Sequence, residues 1–195
     1  MLKMCEIKSY YDFVRPYYHG RDAGHDFHHI ARIFDRLEEL SVGCVPEPEF
    51  HKLYFIAAFH GLVKRLGTDI CFQNQVNNFL RQLGWENGDI SEAFAALERH
   101  LFAPQTTEEM IVHDANFFEV TGRFGIAKAF TVGGSFNQTY ERTLEIFEAN
   151  LDKLVFRTPI GRSTYEARKD YARAFIEELR AEIKSRQLNA EISSR

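Results

Sequence analysis

Gly24-His25-Asp26-Phe27-His28-His29-Ile30-Ala31-Arg32-Ile33 is the most informative stretch of this 195-residue chain. It gathers three of the eight histidines beside an aspartate and an arginine. Phe27, Ile30, Phe34, Leu37 and Val42 recur at roughly helical spacing, so the stretch opens an amphipathic helix over about 25–41. His25, His29 and Arg32 stand at i, i+4 and i+7, which puts two imidazoles and a guanidinium on one helix face. Such a stripe either faces water or meets something polar held between helices.

Outward from this stretch the chain reads as helices joined by short loops. Residues 5–18 are helix-like until Pro16, which ends or kinks the run. Residues 49–65 form the most apolar helix, with Leu53, Phe55, Ile56, Ala57, Ala58, Phe59, Leu62 and Val63; being apolar nearly all round, it is expected at the centre. Further helices are expected at 70–83 (with Asp69 as N-cap), 90–102, 106–119, 124–131, 136–154 and 162–187. Thr106-Thr107-Glu108-Glu109 reads as a helix start, and 156–161 as a Pro/Gly loop. No period-2 segment, repeat or linker interrupts the pattern. The expected fold is an all-α helical bundle in a single domain over 1–195, ending in a long C-terminal helix.

Composition narrows the function classes. A net charge of −4 gives no electrostatic case for nucleic acid or an anionic membrane. Hydrophobic content of 45%, eighteen phenylalanines among it, fits a folded core with aromatic filling. Three scattered cysteines, Cys5, Cys44 and Cys71, make neither a disulfide framework nor a thiolate zinc site. With no signal-like N-terminus and no apolar run of about 18 residues, a cytoplasmic location is expected. The Glu/Arg-rich last helix leaves the oligomeric state open.

Polar residues break the apolar pattern at four places: His25-Asp26-x-x-His29, His60, His100 and His113-Asp114-Ala115-Asn116. Converging imidazoles and carboxylates are how a helical bundle holds a metal. Each residue also has a plain reading. A lone buried histidine bonds to backbone or water, Arg32 pairs with Asp26 or Glu38, His113 decorates a surface, and Lys128 is a solvated charge.

These segments resemble, in order, the HD superfamily of metal-dependent phosphohydrolases, in particular its nucleotide pyrophosphatase-like branch. His25-Asp26-x-x-His29-x-x-Arg32-Ile33 matches HDxxHxxR(V/I), and Ala57-Ala58-Phe59-His60-Gly61 stands at AAxxHD. Arg99-His100-Leu101-Phe102 matches a downstream histidine segment. Ile111-Val112-His113-Asp114-Ala115-Asn116-Phe117-Phe118-Glu119 stands at IVxDADxLE, and Gly125-Ile126-Ala127-Lys128 at GIAR. The resemblance covers about 20–185 and implies an HD-domain helical fold. It also implies a divalent metal held by the second histidine of HDxxH, by the HD pair and by a late aspartate.

Carried over by position, His29 and His60 are present as metal ligands. Gly61 replaces the aspartate of the HD pair, and Asn116 stands in the late-aspartate position. Asp114 survives, but 114 and 116 are about 200° apart on a helix, so both cannot face one site. Where the family has HFxxKL, this chain has Ile146-Phe147-Glu148-Ala149-Asn150-Leu151. Losing two carboxylates costs a buried dication several kcal/mol, roughly.

Two readings follow. In one, the chain has lost the family metal centre, needs no cofactor, and acts by binding a small phosphorylated or nucleotide ligand, or a protein partner. In the other, it is an active phosphohydrolase with a rearranged His-rich set: His29, His60 and Asp114 on a divalent metal (Mn, Mg, Zn, Fe or Ni), with His25, Asp26, Arg32, His100 and Lys128 in the pocket. Neither reading includes nucleic acid or a membrane.

Overall fold

The computed structural model describes residues 4–22 and 24–193, with side-chain environments for 6–22 and 24–184. The described residues are helical, with no strand. They form α1 (Met4–Val14), a 3₁₀ turn (Arg15–Tyr18), α2 (Phe27–Ser41), α3 (Phe50–Phe59), a second 3₁₀ turn (His60–Leu62) and α4 (Val63–Thr68). Then come α5 (Ile70–Gln82), α6 (Asn87–Arg99), α7 (Thr107–Phe118), α8 (Gly122–Ser135), α9 (Tyr140–Leu151) and α10 (Pro159–Ser193). No described helix is long and apolar enough to cross a membrane. Among the described residues Cys44 and Cys71 form no disulfide, and the side chain of Cys5 lies outside those described.

Two compact units divide the chain: Met1–Asn116 with Arg157–Gly161, and Phe117–Phe156 with Arg162–Arg195. The first is built on α3, which packs against α1, α2 and α6. Leu53, Phe55, Ile56, Ala57, Ala58 and Phe59 have no exposed surface, as an all-apolar helix requires. A fully buried Phe, Leu or Ile contributes about 1.5–3 kcal/mol, so this helix anchors the unit. Aromatic rings fill the rest: Phe13 stacks on Phe79 at 4.3 Å, and Phe55 on Phe94 at 5.8 Å.

Helix starts obey local chemistry. Asp26 caps α2 by accepting from His29 N (3.2 Å), and Asp69 caps α5 by accepting from Phe72 N (3.0 Å). Thr106 Oγ1 accepts from Glu109 N (3.4 Å), while Glu109 reaches back to Gln105 N (2.8 Å) and takes Arg99 on both oxygens (3.0 and 2.6 Å). α10 begins at Pro159, earlier than the expected 162. Pro159 is pre-set for the first helical position, and Thr158 Oγ1 caps the helix from Gly161 N (3.0 Å).

In the second unit α8 packs on α9. A Cβ at Gly133 would stand 2.3 Å from Thr143 Oγ1, so only glycine permits that approach. Arg168 binds the end of α7 through Phe118 O (2.9 Å), Thr121 O (2.9 Å) and Thr121 Oγ1 (2.8 Å). Gly125 lies buried inside α8, where a Cβ would meet Val120 C at 2.4 Å.

The helix expected over 49–65 tightens into a 3₁₀ turn at His60–Leu62. The reason is a side chain from outside it. Tyr18, at the end of the first 3₁₀ turn, is 1% exposed. Its hydroxyl accepts from Gly61 N (3.0 Å) and donates to Ala58 O (3.0 Å). A hydroxyl inserted into the backbone ladder distorts a helix locally.

Candidate functional site

The first unit brings together three of the expected histidines. His29 comes from α2, His60 from the end of α3 and His100 from the residue after α6. All three are buried. The rings of His29 and His60 lie 5.4 Å apart, those of His60 and His100 5.1 Å. His100 Nδ1 stands 2.6 Å from Leu97 O, and its Nε2 stands 2.8 Å from His60 Nδ1.

This chain fixes the tautomers. A carbonyl only accepts, so His100 Nδ1 carries the proton. Burial pushes the His100 imidazole down to about 4; the Leu97 carbonyl opposes that, and His113 adds to it. His100 is therefore neutral near pH 7, and its Nε2 accepts from His60 Nδ1–H. His60 thus carries a proton on Nδ1, an orientation of the kind second-shell bonds impose on ligating histidines.

The rest of the expected ligand set is elsewhere. Asp114 is fully buried on α7, and its carboxylate is saturated. Oδ2 accepts from Arg157 N (2.9 Å), Thr158 N (2.7 Å) and Thr158 Oγ1 (2.7 Å). Oδ1 contacts His113 Nδ1 (2.8 Å) and Arg157 N (3.0 Å). His113, expected at a surface, is 3% exposed against this carboxylate. Gly61 offers no donor, and the space its side chain would need is taken: a Cβ there would lie 2.9 Å from Tyr18 Cε1, 3.1 Å from Tyr18 Oη and 3.0 Å from Arg21 Nη1.

The remaining candidates scatter. His25 precedes α2 instead of sharing its face, is exposed, and bonds Asp22 (2.9 Å). Asp26 is a helix cap, His28 is exposed, and Arg32 is half-buried on α2. Lys128 lies in the second unit, its side chain 9% exposed and paired with Glu119 (3.3 Å), so it is not a solvated charge. Asn116 is half-buried on α7.

These donors do not fit a hard dication. Two imidazoles, an amide and a glycine stand where an octahedral Mg²⁺ or Mn²⁺ site wants carboxylates. Among the described residues, no three His, Cys, Asp or Glu side chains are placed to share an ion. Tyr18 and Arg21 were not legible as site residues. The signal was indirect: a glycine in the middle of the most apolar helix implies a bulky neighbour filling its space. Replacing Tyr18 with phenylalanine is expected to cost about 2 kcal/mol, since Gly61 N–H and Ala58 C=O both lose their partner. Urea unfolding measures it.

No family model and no curated protein matches the chain. Solved structures match along nearly its whole length. The Lin1889 protein from Listeria innocua is 23% identical, covers 94% of this chain and 98% of its own, and superposes with a TM-score of 0.72. An HD-superfamily hydrolase from Bacillus thuringiensis is 20% identical over 94% and 99%, with a TM-score of 0.72. Bacillus subtilis YpgQ, solved in complex with ADP, is 20% identical over 89% and 97%, with a TM-score of 0.65. At these identities the likeness is one of fold, and it agrees with the motif order read from the sequence: this chain carries the all-α HD-domain fold of the HD-superfamily hydrolases.

Proposed function

We propose that this protein is an HD-fold binding protein that works without the superfamily's hydrolytic metal and takes a small phosphorylated or nucleotide-like ligand beside His29 and His60. The observation that carries the reading is the saturated Asp114 carboxylate. The nearest acid to the expected ligand position spends its oxygens on Arg157, Thr158 and His113, so it has little left for an ion. Gly61, backed by Tyr18, withholds the other carboxylate. A hydroxide generated on a metal needs that metal held firmly, and neutral imidazoles alone hold Mg²⁺ or Mn²⁺ poorly. The nucleotide-like ligand is suggested by YpgQ, a neighbour of the same fold solved with ADP.

Metal analysis of protein purified without added metal, then titration with Mn²⁺, Mg²⁺ and Zn²⁺, tests the reading. The expected result is no stoichiometric ion and no release of phosphate or pyrophosphate from a nucleotide panel. One tightly held ion per chain together with nucleotide hydrolysis would overturn it in favour of a working hydrolase with a rearranged ligand set.

A further inference from the structure

We infer that the guanidinium of Arg21 replaces the missing dication: an oxyanion ligand, above all a terminal phosphoryl group, binds against Arg21 with no metal present. The inference rests on the binding reading above and supplies its charge. A phosphoryl group carries negative charge, and a site without a metal needs a fixed cation to meet it. Arginine suits the task, because its planar fork meets two oxygens at once and it stays protonated at every relevant pH.

Three features of the structure point to Arg21. First, position: Nη1 stands 3.0 Å from where a Cβ on residue 61 would be, at the residue that follows His60. The guanidinium thus occupies room that a side chain at the metal-ligand position would fill. Second, support: Cζ sits 4.7 Å from the centroid of the Tyr18 ring, and that ring is itself pinned through its hydroxyl to Gly61 N and Ala58 O. Burial holds the Tyr18 phenol well above its ordinary range, so it stays a neutral donor and an unchanging platform. A cation over a tyrosine face is attracted by the ring's negative face, which biases its orientation.

Third, availability: the neighbouring carboxylate is engaged elsewhere. Asp22 accepts from His25 Nδ1 on both oxygens (2.9 and 3.0 Å) and from Gly24 N (2.9 Å). Arg65, the next arginine near Tyr17, is paired with Asp69 (3.3 Å). Among the described residues Arg21 makes no ion pair, and it is solvent-exposed, so an incoming oxyanion meets a charge already oriented and not yet neutralised. Glycine at 61 is what lets the guanidinium approach the backbone there.

Isothermal titration with pyrophosphate and with ADP, in buffer containing EDTA, tests this on the full chain as wild type, Arg21→Ala and Arg21→Lys. Wild type is expected to bind in EDTA, Arg21→Ala to bind at least about tenfold more weakly, and Arg21→Lys to fall between, since a lysine keeps the charge but not the fork. Because Arg21 is exposed and gives up only its contact with the Tyr18 ring, the variants should melt within about 3 °C of wild type. Equal affinity in wild type and Arg21→Ala overturns the role of Arg21 and leaves metal-free binding standing. Binding that appears only on adding Mn²⁺ or Mg²⁺, or no binding of either probe, overturns both readings together.

Discussion

Replacing Asp114 with alanine is expected to destabilise the protein by about 4 kcal/mol, whereas asparagine at the same position costs about 1–2 kcal/mol. The difference follows from the geometry. Alanine strips the partner from Arg157 N, Thr158 N, the Thr158 hydroxyl and His113 Nδ1 at once, in a buried place where each unmade bond costs roughly 1–3 kcal/mol. It also loosens Thr158, whose hydroxyl caps the start of α10. Asparagine has the same shape. Its carbonyl keeps the three donors now on Oδ2, and its amide turns to His113 Nδ1, which accepts after a change of tautomer. Denaturant unfolding in EDTA reads the effect as a lower midpoint at constant slope. If Asp114 instead served only as a metal ligand, alanine and asparagine would leave metal-free stability alike unchanged.

Acid is expected to weaken the fold well before the carboxylates titrate, and His100 sets the window. Its folded-state value, pushed down to about 4 chiefly by burial, lies below the ordinary 6.5. Above pH 6.5 the imidazole is neutral in both states and contributes nothing to the pH slope. As pH falls below 6.5, the unfolded chain binds a proton that the folded chain refuses, so stability drops. The loss levels off below about pH 4, and the gap corresponds to about 3 kcal/mol. Protonation would add a charge to the buried Leu97–His100–His60 chain and remove the acceptor that His60 uses. Unfolding free energies across this range should fall steeply for wild type. A His100→Gln variant should be less stable at pH 7 and lose less between pH 6.5 and 4; equal slopes for the two proteins would reject His100 as the source.

How much the sequence reveals depends on whether a residue acts through its neighbours in the chain or through distant ones. The apolar run Leu53–Phe59 had to be central, because no face of that helix could be given to water. The caps at Asp69 and Thr106 were readable because capping is settled within four residues. His29 and His60, from motifs distant in sequence, have rings 5.4 Å apart, a long-range proximity that motif order suggests and periodicity does not. By contrast, the roles of Asp114, His113 and Lys128 were set by partners distant in sequence or by burial. Asp114 answers to Arg157 and Thr158, residues read as a loop whose backbone N–H groups have no signature in the sequence. His25 misled because helical spacing was extended two residues too far: Asp26 is the cap, so the residue before it leaves the helix face. Tyr18 and Arg21 were missed for the same reason that they matter, as complements to a side chain that is not there.

The contact between Tyr18 and Gly61 couples two positions 43 residues apart so that neither can change alone. An aspartate at 61 collides with the phenol, while a smaller residue at 18 strands the backbone groups that the phenol satisfies. Restoring an acidic ligand would demand both exchanges together, each intermediate being less fit than either end. In mutational terms the site sits behind a valley, and single-residue scanning across it would record two intolerant positions without revealing that they are one.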